Sequence, residues 1–66
     1  MTNKQKVLAG IVMSHRSELI KYYSGPRLAQ YVSGVRIPDY KTAQHIAKVA
    51  GRSVEDVAYR KEIINL

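Results

Sequence analysis

Ser24-Gly25-Pro26-Arg27-Leu28-Ala29-Gln30-Tyr31-Val32-Ser33-Gly34-Val35-Arg36-Ile37-Pro38 is the stretch on which the reading of this chain turns. Leu28, Tyr31, Val32 and Val35 recur at three- and four-residue steps, which puts them on one face of a helix directed at a core. Arg27, Gln30 and Ser33 fall on the other side with Ala29 between them, so the outer face is polar and basic. Ser24 or Gly25 suits the N-cap, and Pro26 is tolerated in the first turn, where its missing N–H has no intrahelical partner. Gly34 supplies a left-handed C-cap. Pro38 keeps Ile37 extended, so the next helix cannot begin before Asp39. A short helix closed at both ends, with one basic face, is suited to presentation toward something long and negatively charged.

Downstream, Asp39 is a good N-cap for a helix with Ala43, Ile46, Ala47 and Ala50 on one face and Lys41, Gln44, His45 and Lys48 mostly on the other. Gly51 closes it. Ser53 with Asp56 three residues later reads as another capped start, and Val54, Val57 and Ala58 carry its apolar face. Tyr59, Ile63 and Leu66 then form a second apolar stripe.

Upstream, Thr2 with Gln5 fits a capping box, and Val7, Leu8, Ile11 and Val12 follow at helical spacing, which predicts a helix from about Asn3 to Met13. Gly10 inside it is unfavourable by about 1 kcal/mol relative to alanine, a cost that close packing would explain. Ser14 or Ser17 can cap a second helix that includes Leu19, Ile20, Tyr22 and Tyr23. The apolar stripe also runs on through His15, so a single helix from Asn3 to Tyr23 is the alternative. Strand alternation, internal repeats and linkers are absent from the sequence. The expected fold is therefore all-α, four or five short helices in one domain spanning residues 1–66.

A chain of 66 residues lies near the lower size at which a hydrophobic core suffices without staples. It has no cysteine, which excludes disulfides and thiolate metal sites and makes a reducing cytoplasm the simplest location. The most apolar early run, Val7 to Met13, is too short for a membrane span and is flanked by Lys4, Lys6 and Arg16. The formal charge of +6 favours an anionic partner such as nucleic acid or an acidic membrane surface, against the simpler reading of a generally basic, solvated exterior. Residues 1–36 carry six bases against Glu18 alone, a net of +5, whereas residues 37–66 carry five bases and four acids, a net of +1. The excess sits in the half that holds the candidate helix.

Catalysis finds little support. His15 and His45 are far apart in sequence with no cysteine nearby, so metal binding by the pair is not expected, and His15 reads as a partly buried stripe residue. No Gly-rich phosphate loop, paired carboxylates or nucleophile–base constellation is present, so neither an enzyme nor a cofactor is implied.

Leu28-x-x-Tyr31-x-x-Gly34-x-Arg36-x-Pro38 followed by Thr42-Ala43-x-x-Ile46-Ala47-x-x-Ala50-Gly51-x-Ser53-Val54-x-Asp56-Val57 resembles the second half of Cro/lambda-repressor-type (XRE-like) helix-turn-helix domains. In that family a recognition helix is followed by Gly-x-Arg-x-Pro, a supporting helix ending in Gly, and a last helix opened by Ser. The likeness covers about half of the chain without a gap. It departs in the first half, where Glu18 stands at a position usually small and Tyr22 at a turn position usually glycine.

The resemblance implies a recognition helix at about residues 25–33, with Ser24 before it, entering the major groove of double-stranded DNA. Gly25 and Pro26 occupy its first exposed positions, so base reading falls to Arg27, Gln30 and the hydroxyls of Ser24 and Ser33, with a phosphate as the other target open to Arg27. Arginine suits guanine and glutamine suits adenine, each through two hydrogen bonds. Arg36, Lys41, Lys21 and Arg16 are the expected phosphate contacts, which position the domain without reading sequence. Tyr31 belongs to the core, while Tyr22, Tyr23 and Tyr40 either reach phosphates or cover the core.

The implied protein is a Cro-like repressor of the phage or prophage regulator kind, binding a palindromic operator as a homodimer through Tyr59, Ile63 and Leu66 in the 59–66 tail. The alternative is a helix-turn-helix-derived protein-binding module, an antirepressor or regulator inhibitor, without specific DNA binding.

Overall fold

The computed structural model describes residues 1–61, and these form four α-helices and one 3-10 turn. They are α1 (Asn3–Ser14), α2 (Arg16–Leu19), α3 (Gly25–Ser33) and α4 (Tyr40–Val49), with the turn at Val54–Asp56. Among the described residues there is no strand, only an isolated parallel bridge between Asp39 and Arg60. No described helix is long and apolar enough to cross a membrane.

Helix α1 starts at the capping box: Gln5 N–H donates to Thr2 Oγ1 at 3.1 Å and Thr2 N–H to Gln5 Oε1 at 2.7 Å. It ends at Ser14, a residue beyond the expected Met13, and a second helix follows as the two-helix expectation has it, but that helix stops at Leu19 short of Tyr23 and a single helix to Tyr23 is not formed. The chain bends at His15 (φ −115°, ψ 23°), and α2 follows with no side-chain cap, so neither serine acts as one. His15 N–H still reaches the Ile11 carbonyl while its own carbonyl accepts from Glu18 and Leu19, which keeps the path helical across the bend. After Leu19 the chain continues as turns, leaving Ile20 and Tyr22 exposed.

The core gathers Leu8, Ile11 and Val12 of α1, Leu19 of α2, Leu28 and Tyr31 of α3, Ala43, Ile46 and Ala47 of α4, and Val57. Helix α3 packs chiefly against α1, and α1 also meets α4 and α2. The backing for α3 thus comes from the first helix rather than from the four-residue segment just before it.

Three packing expectations need correction. Val35 is 79% exposed, because Gly34 (φ +80°) turns the chain out of the helix one residue before the three- and four-step pattern would use it again. Gly10 is not in close packing: a Cβ there would meet nothing within 4 Å. Ser53 opens a single 3-10 turn rather than a helix, after which Val57 becomes extended (φ −116°, ψ 158°) and wholly buried. The extended segment is pinned by Ala58 N–H to the Lys4 carbonyl at 3.3 Å and Arg60 N–H to the Pro38 carbonyl at 2.8 Å.

Candidate nucleic-acid interface

Both ends of α3 are closed by its own sequence. Ser24 Oγ accepts from Arg27 N–H at 3.3 Å, and at the other end Gly34 N–H donates to the Tyr31 carbonyl and Arg36 N–H to the Gln30 carbonyl. Ser33 Oγ donates to the Gln30 carbonyl at 3.2 Å and receives Val35 N–H at 3.4 Å. The two serines expected to read bases therefore spend hydrogen-bonding capacity on the helix termini. A hydroxyl used as a cap has less left for a base edge.

Burial of Leu28 and Tyr31 fixes the helix's rotation and leaves Pro26, Ala29, Gln30 and Ser33 exposed. This outward surface is low, two of its four residues being proline and alanine, which lets the backbone lie close to whatever it meets. Gln30 supplies its one side-chain amide, and that amide makes no hydrogen bond to the described residues. Gly25 has a use beyond the missing reader, since the Arg16 Nη2 atom lies 3.3 Å from where its Cβ would stand. The Arg16 side chain is thereby laid over the start of α3.

Arg27 is held differently from the other candidates. It is half-buried on the flank of α3, with Nε–H donating to Tyr31 Oη at 2.8 Å. Its guanidinium carbon lies 5.3 Å from the centre of the Tyr23 ring and 5.9 Å from that of Tyr31, distances at which a cation is attracted to the ring face. Tyr23 is in turn fixed from α4, its Oη 2.7 Å from His45 Nδ1. Tyr22 sets its ring against His45 edge to face at 4.7 Å. Burial, reinforced by Tyr31 and opposed by Arg27, pushes the Tyr23 phenol above its ordinary value.

The phosphate candidates Arg36 and Lys41 are exposed, in the loop after α3 and in the first turn of α4. Lys21 is also exposed but pairs with Glu18 at 3.2 Å, an interaction that costs little to exchange for another anion. Of the dimerisation candidates, Tyr59 is half-buried against its own domain, its ring meeting Tyr40 edge to face at 5.1 Å and its hydroxyl donating to Glu55 at 3.1 Å. Ile63 and Leu66 lie outside the described residues.

The sequence reading missed the part played by Tyr23 and His45. One signal was present, the i, i+4 spacing of Arg27 and Tyr31, which lets a flank arginine reach a tyrosine whose ring faces the core. The pairing of Tyr23 with His45, 22 residues apart, leaves no periodic trace.

A scan against protein-family models, a search of curated proteins and a search of solved structures each return no match to this chain.

Proposed function

We propose that the protein is a sequence-specific double-stranded DNA-binding transcriptional regulator with a lambda-repressor-like helix-turn-helix fold, in the manner of a Cro-like repressor, and that it acts as a homodimer on a palindromic site. The observation that carries this is α3 itself: capped at both ends, low on its outer face, offering one uncommitted glutamine, carrying Arg27 on its flank and bordered by Arg16 and Arg36. Gln30 then reads a base edge, while Arg16, Arg36 and Lys41 engage phosphates. Two such helices related by a two-fold axis would sit about one DNA turn apart, on the order of 34 Å.

The test is a salt titration of binding to duplexes recovered from a random pool. With about six phosphates engaged, affinity should fall roughly 10³-fold or more between low and physiological salt. Failure to retard any duplex at low salt would reject the reading. A second reading, docking on a protein partner, draws on Met13, Tyr22 and Val35, which are 62%, 59% and 79% exposed. Apolar docking lacks the steep salt dependence.

A further inference from the structure

We propose that Arg27 is a phosphate clamp rather than a base reader, and that Tyr31 and Tyr23, the latter braced by His45, are its positioning residues. The inference rests on the DNA-binding reading above and assigns the arginine a different target from the one its helix position first suggests.

A base-reading arginine has to extend from the outward face of its helix with its hydrogen-bonding edge free to turn toward guanine. Arg27 leaves α3 from the flank, one turn before Tyr31, and its Nε–H is already spent on the Tyr31 hydroxyl at 2.8 Å. The ring of Tyr23 lies beside the guanidinium at 5.3 Å, and the His45 bond stops that ring from swinging away. These contacts draw the side chain back toward α4, away from the surface formed by Pro26, Ala29 and Gln30. What remains unengaged is the pair of Nη groups, a planar fork whose geometry fits two oxygens of one phosphate.

Charge points the same way. No carboxylate lies within 4 Å of the Arg27 guanidinium among the described residues; a hydroxyl and two ring faces touch this half-buried cation, and Asp39 acts on it only from farther off. A guanidinium fixed in this way loses little further side-chain freedom on meeting an anion. It also cannot follow a base whose position varies. A repeating anionic backbone is the partner such an arrangement suits.

The experiment measures salt-dependent binding of the wild-type chain, Arg27→Ala, Tyr31→Phe and the double variant to a selected duplex and to an unrelated duplex of equal length. Arg27→Ala should weaken both by the same factor and lower the slope of log K against log salt by about one. Arg27→Lys should restore the slope, since a point charge still displaces a counterion. Tyr31→Phe keeps the buried ring and should weaken both duplexes alike in the wild-type background while adding nothing to Arg27→Ala.

Should Tyr31→Phe fail to fold by circular dichroism, Tyr23→Phe, which keeps the ring beneath Arg27 and loses only the link to His45, must show the same dependence on Arg27. A loss confined to the selected duplex makes Arg27 a base reader and overturns the proposal. So do additive effects of the tyrosine variants and Arg27→Ala. Wild-type protein that binds no duplex at low salt rejects the DNA reading together with the clamp, whereas wild-type binding with an unchanged slope in Arg27→Ala rejects the clamp alone.

Discussion

The sulfur of Met1 lies 2.8 Å from the position that a Cβ on Gly34 would take, at a residue whose φ is +80°. The start of the chain thus lies over the C-terminal end of α3; since the exposed Met1 side chain can move aside, Gly34 is needed for its backbone conformation. Gly34→Ala should therefore destabilise the fold by more than about 1 kcal/mol. Gly10→Ala is the opposite case, an open position within α1, and should stabilise by about 0.5–1 kcal/mol. Urea denaturation of the two variants checks both signs.

Leu28 is wholly buried and Val35 is 79% exposed, although the same spacing pattern joins them. Leu28→Ala should cost about 2–5 kcal/mol, comparable with the whole stability of a domain this small, and leave much of the protein unfolded at 37 °C. Val35→Ser should change stability by no more than about 0.5 kcal/mol. Thermal melts would separate them at once.

Gln30→Ala should relax sequence preference, at a cost of about 1–3 kcal/mol of discrimination at one base pair. Lys41→Ala should weaken selected and unrelated duplexes about equally. Competition binding against both kinds of duplex makes the comparison, and equal losses for the two variants would remove Gln30 from its proposed role.

Hydrogen bonds to its oxygens, first from the Thr42 side chain and then from the Thr42 backbone N–H, hold the Asp39 carboxyl below its ordinary value of 3.8. The folded chain therefore binds this proton more weakly than the unfolded chain does. Its contribution to stability is complete above the unfolded value and is lost as pH falls through the lower folded one. Asp39→Asn keeps an acceptor for the Thr42 N–H without that linkage, so the stability gap between wild type and variant should shrink on acidification. Denaturation curves taken at successive pH values below about 5 follow it.

Full-length protein should sediment as a dimer at tens of micromolar, and a chain ending at Lys61 as a monomer. Ending there retains the Arg60 bond to Pro38 and every other contact among the described residues. A monomeric full-length protein rules out the dimer in free solution.

The parts of the fold that the sequence carried were the local ones. Thr2, Ser24, Asp39 and Gly34 all cap where their chemistry places them, because a cap depends on neighbours three or four residues away. Leu28, Tyr31, Ile46 and Ala47 face inward as their spacing requires. The bend at His15 and the 3-10 turn at Val54–Asp56 were not legible, since each is decided by packing against distant helices rather than by propensity. For the candidate site, the outward face of α3 could be read from periodicity. Which of its polar groups were free could not: Ser24, Ser33 and Arg27 are engaged by partners three or four residues away, a spacing that allows such a bond without requiring it, and the Tyr23–His45 pair that braces Arg27 meets only in the folded chain.

Val57 fills the centre of the core from an extended segment, and the pins on either side of it run to Lys4 and Pro38. A chain that stopped after α4 would leave a gap where Val57 belongs and would lack the backbone bonds that this segment makes to Lys4 and Pro38. Completing the interior therefore depends on residues 57–60, a non-helical segment joined to the start of α1 and to the loop before α4. The apolar faces of α1 and α4 thus share an interior whose seal is a strand-like tail rather than another helix.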